Sequence, residues 1–172
     1  MKAKLLPIIF CLFAVSVFGQ ENEARKRTEF GLLPCNYFSA LVFSAYKDYK
    51  KLPDAKIYVV YYEAKNQEIF VWNAKKNVEE KKTLKPRRGN AFNRAGEVPL
   101  FLETVYQLPK EKVVLIDGGF RENLVIEIWL VPKDAAPPRP TPTIEEKDVK
   151  FAKGAPSPIR NCAFGEGQQI NY

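Results

Sequence analysis

Two neighbouring runs, Val113–Ile116 and Leu124–Val131, constrain the fold more than any other stretch of this chain. In the second run Leu124, Ile126, Ile128 and Leu130 alternate with Val125, Glu127, Trp129 and Val131, so one face is wholly apolar. A period of two with one apolar face is the pattern of a strand lying on a core. The first run is short and apolar throughout, the composition of a strand buried on both sides. Asp117-Gly118-Gly119 between them predicts a turn, because glycine supplies positive φ without steric cost. A sheet is therefore expected, and other segments must supply the layer that covers it.

Those segments are legible in order. Glu21–Arg27 is charged and predicts a frayed start, and Glu29–Leu33 a short first strand or extended lead-in. Pro34-Cys35-Asn36 opens a helix with Asn36 as candidate N-cap. Phe38, Leu41, Val42, Ala45, Tyr49 and Leu52 then recur at three- and four-residue intervals, one buried stripe of an amphipathic helix. Lys47, Lys50 and Lys51 sit in its last turns, where cations suit the helix dipole. Lys56–Glu63 predicts a central strand, and Glu68–Trp72 a second apolar run. Residues 65–86 read as an excursion, a hairpin arm beside the main sheet. Arg87–Tyr106 predicts a second helix with Phe92, Ala95, Pro99, Leu102 and Tyr106 on its buried stripe. Gly96 and Pro99 predict a kink or two shorter helices. After Pro132 the composition changes: Ala135–Thr143 holds four prolines and reads as an extended strap, with a short strand expected at Val149–Phe151.

The first nineteen residues have the charge, apolar middle and small −3 and −1 residues, Val17 and Gly19, of a signal peptide. The apolar run is shorter than the roughly 20 residues of a spanning helix, so no transmembrane anchor is expected after cleavage. The full chain carries a formal net charge of +7. Cleavage would remove Lys2 and Lys4 and no acid, leaving 7 − 2 = +5. That balance favours anionic envelope polymers over nucleic acid, for which the charge is too modest and too dispersed. Cys11 would leave with the signal, and the remaining pair, Cys35 and Cys162, predicts a disulfide in an exported protein, the alternative being two free thiols. There is no histidine. A zinc site has neither histidine nor CxxC spacing, and no metal or other cofactor is expected.

The expected fold is α+β, an α/β sandwich: a βαβαββ-like mixed sheet with two helices on one face and a proline-rich C-terminal strap. Its domain would span 29–132 with the insertion 65–86, after a signal at 1–19 and a flexible 20–28, and before a linker and tail at 133–172. This order resembles the OmpA-like C-terminal domain, the peptidoglycan-binding module of bacterial envelopes. The resemblance rests on Leu52-Pro53 before the strand at Ile57, on Arg94-Ala95 in the second helix, and on Val113–Gly119 leading to a final strand. The chain is also similar to uncharacterised exported bacterial proteins that share an FG-x-LPC start, an RRG helix opening and an IDGG(F/Y)RE turn, here Phe30–Cys35, Arg87–Gly89 and Ile116–Glu122.

The OmpA-like resemblance implies that Arg94 clamps the carboxylate of a peptide-stem diaminopimelate while a carboxylate takes its ammonium, Glu63 being the nearest one to the family's aspartate position. The competing reading of Arg94 is an ion pair with Glu97 on the helix surface. Arg88 in Arg87-Arg88-Gly89-Asn90 opens a helix whose free N–H groups favour an anion. Asp117 and Arg121 sit near a strand end, where α/β proteins place ligands. Without histidine the commonest acid–base residue is missing, and no serine or cysteine lies in a nucleophile motif. The expectation is a non-catalytic envelope binding module in the periplasm or outside the cell, binding peptidoglycan or another anionic component. A protein-interaction module with another envelope protein as partner is the alternative. A two-carboxylate hydrolase using Glu63, Asp117 and Glu127 is third.

Overall fold

A computed structural model describes residues 23–52 and 54–164, with backbone alone at 69–73, 79, 81 and 164. The expected signal segment 1–19 and the last residues, 165–172, lie outside the described residues. The elements in chain order are β1 (Arg25–Phe30), α1 (Cys35–Tyr49), β2 (Lys56–Ala64), β3 (Gln67–Asn73), β4 (Val78–Leu84), α2 (Asn90–Tyr106), β5 (Val113–Arg121) and β6 (Val125–Val131). Strands β1-β6-β2-β5 form one mixed sheet, with β6 antiparallel to both neighbours and β2 parallel to β5. This is the expected α+β architecture.

The alternation in β6 sorts the two faces. Ile57, Val59 and Tyr61 of β2 stand directly across from Leu130, Ile128 and Ile126. They pack with the buried residues of α1 and α2 in a single core, so both helices lie on this face. Phe38 of α1 is its keystone, 1% exposed and set edge-on to Phe30 and Phe101 at 5.9 and 5.7 Å. Truncating a ring so enclosed costs about 3–5 kcal/mol. The opposite face carries Tyr58, Val60 and Tyr62 against Trp129, Glu127 and Val125.

The C-terminal segment covers that second face and then wraps back to the first. Pro138 is buried, and the Thr141 N–H donates to the Tyr62 hydroxyl at 3.1 Å. Ile144 forms an antiparallel bridge to Phe120. Ala152 N–H donates to Pro86 at 2.8 Å, Ser157 meets Asn90, and Cys162 closes a disulfide to Cys35 with a Cα–Cα distance of 5.1 Å. The strap is thus a clamp across sequence positions 127 apart.

Several sequence expectations shift. The charged start is ordered as β1 from Arg25 onward, because its backbone completes the ladder to β6. Pro34, not Asn36, is the N-cap of α1, and no side chain caps it. In α2 the buried apolar set is Ala91, Ala95, Val98, Phe101 and Leu102, while Phe92 is 48% exposed: the stripe is rotated by about one position. The helix runs unbroken through Pro99, which has no N–H to give the Ala95 carbonyl one turn earlier. Asp117-Gly118-Gly119 is not the turn. The strand continues through it with an irregular register against β2, Asp117 Oδ1 accepting the Gly119 N–H at 2.8 Å, and the reversal comes at Glu122-Asn123. Strand β5 is at the sheet edge, and Val113–Ile116 are half-buried instead of enclosed. Val149 is buried, but no strand forms at Val149–Phe151. Residues 65–86 do form a hairpin, β3–β4, as a separate two-stranded sheet.

Candidate functional site

Among the described residues three carboxylates are buried: Glu63, Glu97 and Glu127. Each has a different solution to the cost of desolvating a charge. Strand β2 ends by placing Glu63 beneath the first turn of α2. One of its oxygens, Oε1, accepts the N–H of Gly89 at 2.7 Å and of Ala91 at 3.2 Å. The helix N-terminus, expected to attract an external anion, is capped from within by a residue 26 positions earlier. The other oxygen, Oε2, is buried without a partner. Burial pushes the Glu63 carboxyl above its usual range, the Ala91 and Gly89 N–H groups pull it back, nearby Asp117 pushes it up and Arg88 pulls it down.

Glu97, 2% exposed, is held from two sides. Arg94 pairs with its Oε1, which also accepts the Arg160 backbone N–H (3.2 Å) and Nε (3.1 Å), while a terminal nitrogen of Arg160, from the strap, donates to Oε2 (2.9 Å). The Arg94 guanidinium therefore serves an internal carboxylate, one that also locks the returning tail. Glu127 lies on the opposite face, accepting from Trp129 Nε1 at 3.0 Å and Arg121 at 3.1 Å, with Lys26 and the Tyr62 hydroxyl each at 3.4 Å. Arg121 also donates to Thr141 Oγ1 at 2.7 Å and lies over the Tyr62 ring at 3.6 Å.

The five residues singled out from sequence do not share one cavity. Glu63, Asp117 and Arg88 lie at the same end of the β2–β5 pair, where Arg88 pairs with Glu146 at 2.6 Å and stacks on Phe151 at 4.4 Å. Arg94 faces the tail, and Arg121 belongs to the strap face. Glu63 and Glu127, two members of the hydrolase reading, lie on opposite sides of the sheet. Among the described residues no group of three or more histidines, cysteines, aspartates or glutamates is placed to hold a metal ion, and no helix is long and apolar enough to cross a membrane.

The more open concave surface is at the other end of the sheet, where α1 and α2 finish. Phe43, Tyr46, Lys47 and Lys50 fall at i, i+3, i+4 and i+7, on one face of α1. The last turn of α2 brings Val105 and Tyr106 beside them, and Gln107 at φ +54 ends the helix. Tyr46 and Tyr106 stack at 4.1 Å and 10°, and Phe43 lies 6.1 Å from Tyr106. Together these seven side chains line a cleft of about 520 Å³. Phe43 is 46% exposed, with Lys47 Nζ 5.7 Å from its centroid, and Lys50 has no carboxylate partner among the described residues. A second cleft of about 320 Å³ adjoins α1 on its other side, lined by Arg25, Arg27, Asp48 and Lys51, with Asp48 shared between Arg27 and Lys51. Burial raises the Tyr106 and Tyr49 hydroxyls above the usual tyrosine range.

Sequence reading missed this cleft. The lysines were visible, but as helix-dipole partners. The remaining signal was Phe43, an aromatic off the buried stripe of α1 and followed by lysines. Comparisons with family models, with curated proteins and with solved structures gave no match to the chain.

Proposed function

We propose that the protein is an exported, non-catalytic binding module that holds an anionic polymer of the cell envelope, peptidoglycan or a similar glycan, in the cleft between the ends of α1 and α2. The reading is carried by one observation: the exposed Phe43 ring beside the half-buried Tyr46–Tyr106 stack, flanked by Lys47 and Lys50. An apolar floor with a few placed polar groups is the usual composition of a ligand site. The C–H face of a sugar ring packs on an aromatic face, and the ammonium groups would take carboxylate or phosphate substituents. The disulfide suits an oxidising compartment, periplasmic or extracellular. The OmpA-like kinship remains part of the proposal, with the ligand moved from Arg94 to the opposite end of the helices.

Retention on purified sacculi tests it. Phe43→Ala combined with Lys47→Ala should weaken retention about tenfold or more, and binding should fall with salt, as for exposed charges. Arg88→Ala, remote from the cleft, should leave retention unchanged. Equal retention of wild type and the Phe43/Lys47 variant would refute the assignment.

A further inference from the structure

The apolar run Val113–Ile116 has the composition of an enclosed strand and occupies a sheet edge. On one side β5 pairs with β2 from Val113 to Arg121. On the other, among the described residues, the strap's backbone pairs with it around Phe120, through the Ile144 bridge and the Thr143 N–H to the Phe120 carbonyl at 3.0 Å. From Val113 to Asp117 the outer ladder is open, a length of about 17 Å at roughly 3.3 Å per residue. Natural edges are normally blunted by charge, proline or a covering element. This one has four consecutive apolar residues. Alongside it runs a groove of about 340 Å³ between β5 and α2, floored by Val113, Leu115, Pro99, Leu100 and Ile159.

We propose that this edge receives an extended segment of a partner protein as a fifth strand, antiparallel to β5, with apolar side chains at alternate positions seated in the α2 groove. The unfilled ladder calls for a backbone in β conformation, and the period of two in its side chains follows from Val113 and Leu115 facing the groove while Val114 and Ile116 face away. The strap supplies the direction, since at Phe120 it already pairs antiparallel along the same edge. A second copy of this chain fits less well. Face-preserving two-fold pairing on Leu115 would set Asp117 of each copy across from Val113 of the other, an unmatched pair. The inference is independent of the glycan reading, because the two surfaces share no residue.

The experiment uses the mature protein and a capped peptide of alternating threonine and valine. Amide exchange at Val113–Asp117 should slow on saturation with about 1 mM peptide, a weak but specific affinity for a generic strand. Methylating alternate peptide nitrogens on the ladder side should weaken binding at least about tenfold, as should Leu100→Glu in the groove. The methylated peptide leaves the protein untouched, so a misfolded Leu100 variant would not blunt the test. No slowing of exchange, equal binding of the methylated peptide, or a dimer that protects these amides without peptide would each overturn the proposal.

Discussion

Removing the Cys35–Cys162 bridge, whose two cysteines are buried at the edge of the core, should be among the most damaging changes to this chain. The cross-link closes a loop spanning 127 positions. In the chain-entropy account the closed loop restricts the unfolded ensemble by −2.1 − 1.5R ln n, about −17 cal/mol/K here, or about 5 kcal/mol at 25 °C. That rivals the whole stability of a typical domain, roughly 5–15 kcal/mol. The folded strap keeps its own contacts without the bridge: Arg160 on Glu97, Ser157 on Asn90, and Thr141 on Tyr62. The double variant Cys35→Ser/Cys162→Ser should therefore fold with native secondary structure and lose up to about 5 kcal/mol, lowering Tm by roughly 10–20 °C for a chain of this size. Urea unfolding of the wild type with and without reductant, beside the variant, measures the loss directly. The m-value should rise, because the uncrosslinked chain exposes more surface when unfolded. A loss below about 1 kcal/mol with an unchanged m-value would show that the unfolded chain is not restrained by this loop, and the reasoning would fail.

Two further outcomes follow from buried contacts. Glu63 has a folded-state carboxyl raised chiefly by burial, so its contribution to stability is complete below the unfolded carboxyl range and is lost as pH climbs through the raised value. Glu63→Gln should match the wild type at the acid end and exceed it at neutral pH, and parallel stability curves across pH 4–8 would contradict this sign. Gly118 lies against the Tyr62 ring, where an added Cβ would come within 2.5 Å of a ring carbon. Tyr62 is fully buried and its hydroxyl anchors Thr141, so Gly118→Ala should cost about 1–3 kcal/mol in urea titrations and loosen the strap, seen as faster exchange at the Thr141 amide.

The elements that periodicity alone describes were legible before any coordinates. The stripe Phe38-Val42-Ala45-Tyr49 set α1, the alternation Leu124–Val131 set β6, and the even cysteine pair set the bridge, because each depends on local spacing or on simple parity. What chain order could not supply was neighbourhood. Val113–Ile116 reads alike for a central and an edge strand, and only the β1-β6-β2-β5 order put it at the rim. Glu63 reads as a loose carboxylate at a strand end until α2 returns over it, and the Arg94–Glu97 pair reads as a surface contact until Arg160 arrives from the tail to share a buried Glu97. The cleft at Phe43 exists only because two helices finish at the same end of the sheet. Short-range stereochemistry dictates which face of an element is apolar. Which partner, charge or solvent meets that face is decided by contacts between residues far apart in sequence, and those form only when the whole chain closes.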